Sequence, residues 1–121
     1  MSNNFENKRD QEKIAIVWTS GDRDVALKMV FMYARNAKKK DWWKRVRLVV
    51  WGPSAQLLSK DQELQQELKI MQEYGVETFA CITCANMYEV TDQLKDLAIE
   101  VIPMGPPLTD MIKEGWNVLS F

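Results

Sequence analysis

The chain has 121 residues, 46% of them hydrophobic, with 16 Lys and Arg against 17 Asp and Glu and a formal net charge of −1. That suffices for one core and is too short for two domains, and so even a charge balance gives no sustained positive field for a non-specific polyanion binder. No apolar stretch approaches the roughly 20 residues of a bilayer span, and the lack of any histidine removes Ser-His-Asp and Cys-His catalysis and most transition-metal chemistry.

Met1 to Glu12 is polar and charged without an apolar h-region. It reads as a disordered tail rather than a secretory signal, which predicts a cytoplasmic protein. From Lys13 onward, short apolar runs alternate with longer helical segments, the pattern of a mainly parallel sheet covered by helices. Lys13 to Trp18 is a near-continuous apolar run suited to a first strand buried on both faces. Thr19-Ser20-Gly21 turns the chain, and Asp22 is a helix cap. In the helix that follows, a 3.6-residue period places Val25, Ala26, Met29, Val30, Tyr33 and Ala34 on one face, with Leu27 and Phe31 on a second stripe. A helix apolar over so wide an arc is buried on more than one side, by its own chain or by a neighbouring subunit.

Val46 to Trp51 is the second strand, closed by Gly52-Pro53. Ser59-Lys60-Asp61-Gln62 has the pattern of a capping box for a helix carrying Leu64, Leu68 and Met71, and Gly75 stands where a C-cap glycine belongs. The third strand, Val76 to Ala80, alternates Glu77 and Thr78 outward and runs directly into Cys81-Ile82-Thr83-Cys84. Helix follows through Tyr88 and resumes after Thr91, with Leu94, Leu97 and Ala98 inward. Glu100 to Met104 is a fourth strand, Gly105-Pro106-Pro107 opens a short helix that Gly115 ends, and Trp116 to Phe121 is a fifth strand.

Strands of a parallel sheet deliver their following loops to one edge, where sites of such folds gather. Cys81 falls at that edge and at a helix start, where backbone amides favour a thiolate. Cys84 lies three residues on, on the same helical face and within disulfide reach. Thiolate is the reactive form, and a second thiol resolves a mixed disulfide or persulfide. Buried cysteine is also a common small core residue, so a purely structural pair is the competing reading. Two thiolates are half the ligands of a closed zinc site, which leaves a zinc site only between subunits. The motif follows the third strand rather than an early one, which disfavours a thioredoxin. Ser20, Gly21, Pro53, Ser54 and Gly105 share the sheet edge and are second-tier candidates for holding an anion or a sulfur substrate, although turn formation and capping account for them equally.

The basic-aromatic run Lys38 to Arg45 is better explained by cations at a helix C-terminus than by nucleic acid, with Trp42 and Trp43 as candidate subunit contacts. No nucleic acid, membrane, metal or cofactor is expected as a partner.

Several segments together resemble the DsrE-like sulfur-relay family, which includes the YchN type. They are Thr19-Ser20-Gly21-Asp22, Val49-Val50-Trp51-Gly52-Pro53-Ser54, Gly75-Val76 followed by Cys81, Cys84-Ala85-Asn86-Met87-Tyr88, Gly105-Pro106-Pro107-Leu108-Thr109 and Gly115-Trp116. The resemblance covers Lys13 to Phe121 and implies a single domain, a three-layer α/β/α fold with a five-stranded sheet, and assembly into homo-oligomers, trimers or hexamers. It implies sulfur transfer through a persulfide on Cys81, with donor and acceptor proteins as partners. Cys84 departs from the usual relay pattern. It would act as a resolving thiol, make the chain a redox sensor, or belong to a non-catalytic binding or scaffold protein with structural cysteines.

Overall fold

The computed structural model describes residues 12–121. Strand β1 (Lys13–Trp18) leads into a helix α1 built of three consecutive segments, Arg23–Val25, Ala26–Phe31 and Met32–Lys39. There follow β2 (Arg45–Val50), α2 (Pro53–Lys60), α3 (Gln62–Tyr74), β3 (Glu77–Cys81), α4 (Ile82–Met87), α5 (Thr91–Asp96), β4 (Glu100–Ile102), α6 (Gly105–Lys113) and β5 (Asn117–Ser120). The five strands form one all-parallel sheet in the order β4-β3-β2-β1-β5.

That order decides which helices lie on which face. The steps β1 to β2, β2 to β3 and β3 to β4 all move one way, and right-handed crossovers therefore put α1 to α5 on one side. The step from β4 to β5 returns across the whole sheet, which carries α6 to the other side. The core divides accordingly. Ile14, Ile16, Trp18, Leu48 and Val50 pack with Val30, Phe31, Leu58, Leu64, Leu68 and Leu94 from the thick helical layer. Ala15, Val17, Val49 and Cys81 pack on the opposite face with Met104, Met111 and Trp116. The expected three-layer α/β/α fold is present, with layers of unequal thickness.

Several local expectations are corrected. The middle segment of α1, Ala26–Phe31, is π-helical. Its wider turn carries Phe31 into the core, where it meets Trp18 edge-on at 5.0 Å, and leaves Met29 37% exposed. Ser59 is not a cap, because it lies inside α2, where its hydroxyl donates to the Gln56 carbonyl. The cap of α3 is Asp61, whose carboxylate accepts from Leu64 N at 3.0 Å. Thr78 is buried rather than outward, and its hydroxyl accepts from Gln72 Nε2 at 2.9 Å. Ala98 is exposed in a turn at φ 60° instead of packing inward. Asp22 caps α1 as expected, Lys38 and Lys39 occupy its last turn, and Gly75 ends α3 at φ 105°.

The expected N-terminal tail lies outside the described residues except for Glu12, whose carbonyl accepts from Lys44 N at 2.9 Å. Where α6 stops covering the thin face, Glu77 ties β3 to β2. It accepts from Arg45 Nη2 at 2.8 Å and from Arg47 Nε at 3.2 Å. The Arg47 guanidinium also lies over Trp116, 4.4 Å from the ring centre. Among the described residues, no helix is long and apolar enough to cross a membrane.

Candidate functional site

All five strands point their carboxyl ends to one edge, and the two cysteines lie there. Cys81 is both the last residue of β3 and the N-cap of α4. Its backbone is extended, at φ −72° and ψ 117°, and its side chain makes no capping hydrogen bond. The thiol is thus not consumed in starting the helix. It points to the thin face, is 5% exposed, and packs among Val49, Met104 and Met111. Cys84, one helical turn on, is partly exposed and packs against the same cluster. Both are free thiols.

The Gly52 backbone N–H and the Cys81 thiol are the polar groups that act on the Cys84 thiol. Burial pushes the Cys84 thiol above its ordinary value, the Gly52 N–H opposes that, and Cys81 adds to the rise. Cys84 is therefore held as the protonated thiol at neutral pH. Gly52 reaches it because the chain leaves β2 at φ 77° and ψ −141°, a conformation close to one that only glycine adopts without strain.

Ser54 is wholly buried, and its hydroxyl donates to the Trp18 carbonyl at 2.6 Å and accepts from Trp51 N at 3.2 Å. Its part at this edge is to fasten the loop after β2 to the end of β1. Ser54 N extends that seam by donating to the Thr19 carbonyl at 3.1 Å. Gly21 lies against Pro53, since a Cβ at Gly21 would stand 3.4 Å from Pro53 Cβ. The Ser20 hydroxyl accepts from Asp22 N at 3.0 Å and so shapes its own turn. Gly105 is exposed at the first position of α6, with open space where its side chain would be.

The structure therefore joins Cys81, Cys84 and the Gly52 amide into one unit. It sets Gly21, Pro53 and Ser54 beside them as a braced loop pair, and Ser20 and Gly105 share only the edge. Sequence reasoning missed the Gly52 amide and Met104. Glycine at 52 was legible as a turn, but the aim of a backbone N–H has no sequence signal. A recess of about 380 Å³ lined by Gln72, Glu77, Thr78 and Glu100 lies at the opposite end of β3, away from the thiols.

The sequence profile of the DsrE/DsrF-like family matches residues 12–121. The chain belongs to this family. DsrE-like folds recur among solved structures. A conserved protein of unknown function, BT1422 from Bacteroides thetaiotaomicron, is 35% identical with a TM-score of 0.88, over 91% of this chain and 95% of that one. The YchN protein from E. coli matches at 18% identity and a TM-score of 0.71, over 90% and 98% of the two chains. MTH1491 from Methanobacterium thermoautotrophicum, a protein of unknown function, matches at 16% identity and a TM-score of 0.74, over 90% and 99%. At such identities the last two show the DsrE-like fold alone. No curated protein matches the chain.

Proposed function

We propose that this DsrE-like protein handles sulfane sulfur, carrying it as a persulfide on Cys81, with Cys84 as the resolving thiol. The observation that carries the reading is the pair of free thiols at the junction of β3 and α4, packed in one cluster at the carboxyl edge of the sheet. Loading is an exchange. The Cys81 thiolate attacks the outer sulfur of a donor persulfide, the donor's S–S bond breaks, and the donor leaves as a thiolate. From there an acceptor thiolate takes the outer sulfur and regenerates Cys81. Alternatively, the Cys84 thiolate attacks Cys81 Sγ, the outer sulfur leaves as hydrosulfide, and a Cys81–Cys84 disulfide remains. In that branch the sulfane sulfur gains two electrons and the two thiols lose them. An external dithiol reductant returns the pair to its starting state.

The reading places the chain among sulfur-relay proteins of the cytoplasm, working with donor and acceptor proteins as a homo-oligomer, a trimer or hexamer. Three apolar side chains left in solvent on one side of α1 support self-assembly: Met29, Met32 and Trp42. The second reading is a non-catalytic binding or scaffold protein with structural cysteines, and the 5% exposure of Cys81 favours it. Intact-mass measurement after exposure of the reduced chain to a small persulfide donor separates the two. A gain of one sulfur atom in the wild type that Cys81→Ser abolishes supports the relay. No adduct, with ordinary alkylation rates at both thiols, overturns it.

A further inference from the structure

The thin face concentrates sulfur. Four of the residues in its cluster are sulfur-bearing: Cys81, Met104 and Met111 are buried there, and Cys84 packs against them. Cys81 pairs in register with Ile102 on the neighbouring strand, and Met104 stands two residues beyond Ile102 at the same edge. Cys81, Ile102 and Met104 all belong to the cluster on the thin face, Met104 as the residue that starts α6. Met104 is 1% exposed and Met111, on α6, is 2% exposed. Apolar residues of the same cluster adjoin them: Val17, Val49 and Leu108.

We infer that Cys81 Sγ, Cys84 Sγ and Met104 Sδ form a binding site for a soft monovalent cation of the Cu(I) class. The choice of ion follows from the donors. Among the described residues no group of three or more His, Cys, Asp or Glu side chains comes together. A closed four-ligand zinc site is therefore not available within the chain, and hard cations lack the oxygen ligands they require. Two thiolates and a thioether are what a soft ion with low coordination number selects. Binding releases both thiol protons and leaves a single net negative charge on the three-ligand complex, with no change of oxidation state. A wall of Val and Leu keeps water from competing for the ion, and Cys84, the partly exposed ligand, is the side from which it enters. The site uses the same two thiols as the persulfide reading and does not depend on that chemistry.

The test is an anaerobic titration of the reduced full-length chain with Cu(I) against a bicinchoninate competitor, with Zn²⁺ in a parallel titration. One Cu(I) per chain withdrawn from the chelator, with no comparable Zn²⁺ uptake, is expected. Cys84→Ser should abolish competition. Met104→Leu, which keeps the volume and the apolar packing, should weaken Cu(I) binding by at least about tenfold. Circular dichroism of both variants checks that they remain folded. The assignment is overturned if the wild type fails to compete, if Cys84→Ser binds as the wild type does, or if Met104→Leu leaves the affinity unchanged. Sulfur loading of the metal-free chain is measured separately, so failure of one reading is told apart from failure of the other.

Discussion

At the scale of single residues, the two cysteines are not interchangeable, and the difference is electrostatic as well as positional. Burial is the largest influence raising the Cys84 thiol, and it persists when Cys81 carries an extra sulfur. The resolving thiolate is therefore scarce at neutral pH, which lets a Cys81 persulfide survive long enough to be passed on. The rate of hydrosulfide release from the loaded chain should keep climbing with pH through and beyond about 8.5, the ordinary value for a free thiol. A sulfide electrode reads it directly, and a rate that levels off well below that pH rejects this assignment. Cys84→Ser should retain the added sulfur for many times longer than the wild type, as read by intact mass. The position of the motif at the end of β3 was legible in the sequence, because a β-rich run passes straight into it. That Cys81 faces the thin layer was not, because the facing depends on the strand order and on the side α6 takes.

At the scale of elements, α1 shows where periodicity misleads. A strict 3.6-residue repeat puts Met29 in the core and Phe31 on a side stripe. The π-helical turn between Ala26 and Phe31 reverses their places. Phe31→Ala should therefore cost about 3–5 kcal/mol in urea denaturation, and Met29→Ala within about 0.5 kcal/mol of nothing. Equal losses at both positions would contradict the turn. The cap of α3 was displaced from Ser59 to Asp61 for a related reason. A short helix, Pro53–Lys60, precedes it, and its weak pattern left Ser59 free to be taken for a boundary.

Glu77, read from the sequence as an outward residue of its strand, joins two elements. Burial pushes its carboxyl up, but the hydrogen bond from Arg45 and the charges of Arg45 and Arg47 outweigh it, so the group sits below its ordinary range. A carboxylate depressed in the folded state contributes stability above its unfolded value, about 4.3, and loses it as pH falls through the folded value. With the side chain one-third exposed, that contribution is less than about 1 kcal/mol. Glu77→Gln should lower the urea midpoint slightly at pH 7 and flatten its fall between about pH 5 and 3. An unchanged acid limb in the variant would show that the pairing is inert.

At the scale of the molecule, the alternation of strands and helices, the parallel sheet and the family were all legible from the sequence. The uneven dressing of the sheet was not, since it arises from a single long return between β4 and β5. One end of the thin face is finished by Arg45, Arg47, Glu77 and Trp116 rather than by a helix. On the thick side, Met32 is 48% and Trp42 50% exposed. Self-association through that patch predicts a sedimentation mass that is a threefold or sixfold multiple of the single chain, and Met32→Asp should reduce it. A monomer at micromolar concentration in the wild type would end that expectation.

The strand β5 closes against β1 across 102 residues of chain, through the Thr19 hydroxyl and the Phe121 carbonyl. Phe121 N donates to the Val17 carbonyl and its own carbonyl accepts from Thr19 N, so alternate residues of β5 turn their amides to β1 and the intervening Val118 and Ser120 turn theirs outward. All four residues of the strand are exposed. Few buried contacts therefore hold this edge, and closing so long a loop is costly in entropy. The strand should be the first to fray, and its opening frees the Thr19-Ser20 turn at the carboxyl edge of the sheet. Deuterium uptake would then reach β5 and the turn after β1 together, well before the inner strands β2 and β3. The carboxyl edge of the sheet would then open from the β5 side first, while β3, which carries Cys81, stays closed.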